Sequence, residues 1–372
     1  MEYDFKRIYA NFCVDGKFID CEPYGEGHIN STFLLRLDKG GKIKKYIFQR
    51  INSTLFTDVP KLMNNIKSVT EFAREKIIGR GGDPDRETLT IIPAIDGLPY
   101  WFDGENYFRM YLFIEGATSY QVVERPEHFY ESAVAFGNFA NMLAEFDAKN
   151  LYEPLPRFHD TGKRFGDFIN SLEKDIKGRA AGIKSEIDFA LSRKGRVNLI
   201  VDKLKSEEIP TKVTHNDTKL NNVLIDDVTG KGIAVIDLDT IMPGSICYDF
   251  GDSIRFGCNH SAEDERDLGK VNFDIDLFEE YTKGYFYALK DTVTRSEAEN
   301  LATGALLMTY ECGIRFLADY LDGDVYFRIK REGQNLDRAR TQFKLVSDME
   351  KNLSRMNEIV LSCYDQYSRS GK

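Results

Sequence analysis

Residues with the side chains that phosphate and metal chemistry demand lie close together in one part of the chain. His215, Asp217 and Asn222 fall in the run Val213-Thr214-His215-Asn216-Asp217-Thr218-Lys219-Leu220-Asn221-Asn222, which enters the apolar segment Val223-Leu224-Ile225. Asp237 ends the next apolar segment, Ile233-Ala234-Val235-Ile236, beyond the turn-forming Asp226-Asp227-Val228-Thr229-Gly230. Two short strands joined by such a turn form a hairpin, and a hairpin brings strand ends together. Asp217, Asn222 and Asp237 can then converge. Carboxylates and an amide oxygen make a hard-oxygen site, which suits Mg2+ bridging phosphate oxygens. A carboxylate set slightly apart can accept a hydroxyl proton. Taken singly, each residue has a plainer role: His215 as a buried structural histidine, the aspartates as turn residues. All of them at this spacing point to phosphoryl transfer.

The elements that must position these residues lie on both sides. Tyr24 to Asn30 has turn chemistry, Thr32 to Leu37 has strand chemistry, and Asp38-Lys39-Gly40-Gly41 is a hairpin turn before the strand Tyr46 to Ile51. A helix follows, with Asp58 as N-cap, Pro60 in its first turn and its end at Gly79. Its Val59, Leu62, Met63, Ile66, Val69 and Ala73 recur at helical spacing. Strands Leu98 to Phe102 and Tyr107 to Phe113 flank the turn Asp103-Gly104. Residues from about 126 to 207 are helical in pattern, and so is the tail from about 262. The fold class is α+β in two lobes. Residues 1–115 make a small antiparallel sheet with one helix, and residues 116–372 make a larger, mainly helical lobe, with a hinge near 111–116.

The 372 residues are 42% hydrophobic, enough for a sizeable core, and their net charge is −10. That balance repels nucleic acid and anionic membranes, so neither is expected as a partner, and any phosphate site must be local. The six cysteines are scattered without metal-ligand spacing and read as reduced thiols in a cytoplasmic protein. The N-terminus lacks a signal-peptide pattern, and no apolar run approaches the ~20 residues of a membrane span. No coiled-coil heptad is visible, so a monomer is expected.

His-x-Asp-x-x-x-x-Asn, followed one hairpin later by Asp, is the pattern of the protein-kinase catalytic loop and its magnesium aspartate. The block resembles the aminoglycoside phosphotransferase and choline kinase superfamily. That resemblance implies a protein-kinase-like fold, ATP as co-substrate and Mg2+ as cofactor. It implies Asp217 as catalytic base, Asn222 and Asp237 as metal ligands, and His215 as support beneath the loop. Lys219 falls where protein kinases place a lysine near the γ-phosphate; a solvated loop lysine is the alternative. Asp239 either binds a second Mg2+ or caps local backbone. Asp249, in the run Pro243 to Asp252, is read as structural, bonding the loop backbone, and Asp252 likewise. On the nucleotide side, Gly25 and Gly27 form a phosphate-covering loop or a plain turn. The Val-Ala-Ile-Lys strand of protein kinases is absent. Arg50 is the candidate for its missing phosphate-pairing cation, with Glu71 or Glu75 as partner, although Arg and Lys differ in shape and hydration.

Tyr24 to Phe33, Phe48 to Asn52, Thr214 to Lys219 and Tyr310 to Leu317 are similar to segments of N-acetylhexosamine 1-kinases. This resemblance implies transfer of the ATP γ-phosphoryl group to the anomeric hydroxyl of N-acetylglucosamine or N-acetylgalactosamine. It puts His28, Arg315 and Tyr326 against the sugar, alongside Asp217. Arg315 sits in the largely apolar helix Leu306 to Leu321; the alternative is a salt bridge to Glu311 at i,i+4 spacing. Packing is the alternative for Tyr326, and a turn-stabilising role for His28. Other readings of the chain are a same-fold kinase for choline, homoserine, methylthioribose or an aminoglycoside, a catalytically silent nucleotide or sugar sensor, and a metal hydrolase using His215, Asp217, Asp237 and Asp239. The complete set Asp217, Asn222 and Asp237 argues against a silent sensor, and Arg315 against an amine acceptor.

Overall fold

A computed structural model describes residues 3–25 and 29–368. A short helix α1 (Phe5–Tyr9) precedes the strands β1 (Lys17–Pro23), β2 (Ser31–Lys39) and β3 (Lys42–Ile51). Gly40 and Gly41 turn β2 into β3 with φ of +65° and +84°, the left-handed pair that a tight hairpin requires. Helix α2 (Val59–Gly79) begins where Asp58 accepts a hydrogen bond from the Lys61 N–H. Its buried stripe runs from Val59 and Leu62 through Ile66 and Val69 to Ala73. A helical turn, α3 (Pro84–Glu87), then leads to β4 (Ile91–Ile92), β5 (Trp101–Phe102) and β6 (Tyr107–Leu112). The strands form one antiparallel sheet in the order β1-β2-β3-β6-β4, with β5 also on β6.

Strand alternation gives this sheet two apolar faces. Leu35, Leu37, Phe48, Phe108 and Met110 pack with Ile8 and Phe12 of the N-terminal segment. Ile51 and Tyr111 pack instead with the α2 stripe and the rest of the protein. The sequence pattern missed β1 because it is an edge strand with charged, half-exposed residues that blur its alternation.

Past β6, the two-residue strand β7 (Ala117–Thr118) opens the larger lobe. Helices α4 (Pro126–Met142), α5 (Thr161–Lys174), α6 (Lys184–Leu191) and α7 (Leu199–Lys205) follow, then strands β8 (Lys212–Thr214), β9 (Val223–Asp226), β10 (Gly232–Val235) and β11 (Met242–Gly244). Helices α8 (Ile246–Gly257), α9 (Ile275–Leu289), α10 (Arg295–Asp322) and α11 (Gln334–Ser368) complete the chain. Strands β10, β9 and β7 form one small sheet, and β11 pairs with β8. The expected α+β two-lobed fold is present.

Helix α10 is the axis of the larger lobe, packed by α5, α8 and α11. Thr294 and Glu297 start it with a reciprocal capping box. Helices α8 and α10 cross at two glycines. A Cβ on Gly251 would stand 2.6 Å from the Gly304 carbonyl oxygen, and one on Gly304 would stand 2.4 Å from that of Cys247. Among the described residues no helix is long and apolar enough to cross a membrane.

Candidate active site

Strand β8 ends at Thr214 and delivers His215 into the core. The His215 Nε2–H donates to the Ile236 carbonyl at 2.9 Å, while Nδ1 accepts the Asp217 N–H at 3.2 Å. Those two bonds fix the neutral Nε2–H tautomer. Phe136 and Phe139 meet the ring edge-on. Asn216 takes the left-handed φ of +65°, which Asn tolerates better than most residues, and its side-chain amide ties the bend to the Thr214 and Thr240 carbonyls. From α8, the Asp249 carboxylate accepts the His215 N–H at 2.9 Å and the Asn216 N–H at 2.7 Å. Burial pushes that carboxyl above its ordinary range.

The bend aims Asp217 outward, half-buried. Lys219 Nζ lies 3.0 Å from one of its carboxylate oxygens. Asn222 Nδ2 donates to the other at 3.1 Å and to the Asp217 carbonyl at 2.8 Å. Burial works against the Lys219 ammonium, but Asp217 and Asp252 outweigh it and bind its proton more tightly than usual.

Asp237 follows β10 in the left-handed region, at φ 59° and ψ 59°. Such strain in a residue other than glycine persists only where the surroundings impose it. Asp237 is exposed to solvent, though protein atoms crowd it on several sides. Enclosure, then Asp239 and Asp217, raise its pKa to about 6. An acid so crowded by like charge, with no hydrogen bond or ion pair to a described side chain, is suited to a cation. Asn222 spends its amide N–H on Asp217, which leaves its Oδ1 for the same ion. These two oxygen donors would suit Mg2+, a hard cation that prefers oxygen ligands. Among the described residues no three His, Cys, Asp or Glu gather as a metal cluster of their own.

Asp239 differs from its neighbour. It is 4% exposed, and its carboxylate meets both terminal nitrogens of Arg109 and the side-chain amide of Asn30. Gly25 has φ +73° at the start of the glycine loop, while Gly27 and His28 lie outside the described residues. Arg50 is not brought to the cleft. Register pairs Gln49 with Arg109 and Arg50 with Phe108, so strand alternation turns Arg50 to the Phe48 face, where it donates to Asn106. Neither Glu71 nor Glu75 meets it, and Glu71 pairs with Lys67. On the opposite face, beside Gln49, the register places Arg109, which reaches Asp239.

On the α10 side, Arg315 lies 5.3 Å from the Phe158 ring centre and 5.5 Å from that of Phe327. Arg164 covers Phe158 as well, and burial and then Arg315 lower its pKa. The alternative salt bridge from Arg315 to Glu311 is not formed, because Glu311 accepts from Thr161 at 2.7 Å and from His159. Tyr326 is 60% exposed, on a loop whose Val325, Tyr326 and Phe327 N–H groups all donate to the Asp319 carboxylate.

His159, which the sequence pattern did not single out, spans from Glu311 at 2.9 Å to the Asn216 carbonyl at 3.0 Å. A carboxylate and a carbonyl oxygen at the two ring nitrogens favour the doubly protonated ring. Burial opposes that charge, but Glu311 outweighs it and raises the pKa. A group raised on folding stabilises fully below its unfolded value of about 6.5, and that contribution fades as pH climbs through the raised folded value. The melting temperature should therefore fall as pH rises above about 6.5. Glu311→Gln should flatten this part of the curve, and an unchanged slope in that variant would place its origin elsewhere.

A profile of the phosphotransferase enzyme family matches residues 20–286, from β1 into α9. Among solved structures, an aminoglycoside phosphotransferase from Alicyclobacillus acidocaldarius is similar at a TM-score of 0.59 and 12% identity, over 97% of this chain and 98% of that one. A microcompartment-associated aminopropanol kinase is similar at 0.56 and 15%, over 94% and 96%. A spectinomycin phosphotransferase in complex with ADP and spectinomycin is similar at 0.52 and 13%, over 96% and 96%. At such identities the likeness is one of fold. The profile match spans the Asp217 loop, the hairpin and Asp237, and by it the chain belongs to the phosphotransferase enzyme family.

Proposed function

We propose that this protein is an ATP-dependent kinase that phosphorylates the anomeric hydroxyl of an N-acetylhexosamine, giving the sugar 1-phosphate and ADP. One observation carries the phosphoryl-transfer part of the reading: Asp217 is gripped by Lys219 and Asn222 within one loop, while Asp237 stands one hairpin away with no ion-pair partner among the described residues. ATP as co-substrate is supported by the family and by the ADP bound to the spectinomycin phosphotransferase. Residues 1–115 hold the nucleotide beneath the sheet, with Gly25 and Gly27 at its phosphates, and residues 116–372 hold the acceptor.

Asp217 takes the proton of the anomeric hydroxyl as that oxygen bonds to the γ-phosphorus and the bond to the β-phosphate oxygen breaks. An anomeric hydroxyl is more acidic than an ordinary alcohol, so an ordinary carboxylate suffices. Asn222 and Asp237 would hold Mg2+, which when bound neutralises charge on the phosphate oxygens. Lys219 pairs with Asp217 and adds a positive charge beside the transferring group. His215 and Asp249 keep the loop in its bend.

Arg315, Tyr326 and His28 are the sugar contacts in this reading, supported by the segments similar to N-acetylhexosamine 1-kinases. Arg315 has no acidic partner among the described residues, so its donors remain for sugar oxygens. With Arg164 beside it, the pocket repels an ammonium, which disfavours amine acceptors of the aminopropanol kind. Arg315→Met should raise the acceptor KM by about 10- to 100-fold and leave the ATP KM within about threefold, the loss of one charged hydrogen bond. An equal rise in both constants would remove Arg315 from the acceptor site.

The test of the whole reading is ADP release with Mg-ATP and N-acetylglucosamine, N-acetylgalactosamine, glucose, galactose, choline, homoserine or kanamycin. Turnover on the N-acetylhexosamines, with phosphorus NMR placing the phosphate on C1, supports it. Turnover on choline, homoserine or kanamycin alone would keep the kinase and discard the sugar.

A further inference from the structure

Arg109 is a single charge inside the strand Tyr107-Phe108-Arg109-Met110-Tyr111-Leu112, and it is 1% exposed. Every nitrogen of its guanidinium is engaged. Nε donates to Gln49 Oε1 at 2.8 Å, Nη2 to Asp239 Oδ2 at 3.0 Å, and Nη1 to Asp239 Oδ1, with Met63 Sδ at 3.8 Å. Gln49 in turn donates to Thr32 Oγ1 at 2.9 Å, and Asn30 joins Asp239 to the Asn52 N–H. Strands β2, β3 and β6 thus all reach, through Asp239, the loop that carries Asp237.

In protein kinases the cation of the N-terminal sheet pairs with a glutamate on the neighbouring helix. Helix α2 offers Met63 at that contact, and the acid comes from the opposite lobe. We propose that Arg109 and Asp239 form an interlobe strut. Both are positioning residues, and Asp239 serves the strut rather than a metal ion. The inference rests on the kinase reading above. The strut does two things. It seats the 237–240 loop against the sheet that covers the nucleotide, so Asp237 and the phosphates share one frame. It also neutralises one of two carboxylates placed two residues apart, leaving Asp237 as the open charge.

Crystals of the wild-type protein with Mn2+ and a non-hydrolysable ATP analogue test this directly, by anomalous scattering. Mn2+ on Asp237 and Asn222, with Arg109 still bonded to both Asp239 oxygens, is the expected result. Mn2+ on Asp239 with the Arg109 pair opened would overturn the strut and leave the kinase. Mn2+ on none of these residues would remove the kinase reading, and the strut with it. In solution, Arg109→Met and Asp239→Asn should each lower kcat by about 100-fold, with both KM values within about threefold. The double variant should be at least as active as either single one, since neither charge is then buried alone. Additive losses, or a tenfold weaker Mn2+ affinity by electron paramagnetic resonance in Asp239→Asn alone, would contradict the strut.

Discussion

Asp217→Asn should lower kcat by about three orders of magnitude while the KM for ATP stays within about threefold. The substitution keeps shape and size and removes the proton acceptor. Asn222 keeps its bond to the Asp217 carbonyl, and Asp249 keeps its grip on the two preceding N–H groups, so the loop should hold its bend. Lys219 loses its anionic partner, and the loop loses some charge balance. Steady-state kinetics and a melting curve decide the matter together. A fall in kcat with unchanged melting assigns the loss to chemistry. A rise in ATP KM of similar size would instead make Asp217 a nucleotide contact and move the base elsewhere.

Asp237→Asn should cost as much or more in turnover, about 10^3-fold or beyond, because it removes the carboxylate proposed to hold the ion. Its stability should move the other way. Asn tolerates the left-handed backbone at least as well as Asp, and the change removes a negative charge crowded by Asp239 and Asp217. A melting temperature at or above wild type, with turnover lost, is the expected pair of results. A large drop in melting temperature would mean that Asp237 supports the fold, and Mg2+ would need other ligands.

The loop of Asp217 was legible in the sequence because its geometry is local. Asp217 and Asn222 are five residues apart and touch, so their spacing nearly is their arrangement. The fold was legible for a related reason: helix stripes such as Leu62 to Ala73, and turns such as Gly40-Gly41, report on their own neighbourhoods. Contacts over long separations were not. Arg109 and Asp239 are 130 residues apart, and nothing in either segment names the other. The one available signal was a charge standing alone in an apolar strand. Arg50 stands at a strand end, the place of a phosphate-pairing cation, but strand parity turns it away from the cleft, and parity depends on register with β6. His159 was invisible for the same reason, its partners lying 57 and 152 residues away.

The glycine crossing of α8 and α10 bears on how this enzyme tolerates change. Helix α8 carries Asp249, which holds the catalytic loop from one side, and α10 carries Glu311, which reaches the same loop through His159. Gly251 and Gly304 lock those helices at a separation that no side chain can enter. One added methyl at either glycine would force the helices apart, and both holds on the loop would shift together. In a random-mutagenesis screen for lost turnover, these two positions, which carry no functional group of their own, should therefore score beside Asp217 itself, and alanine should already be enough.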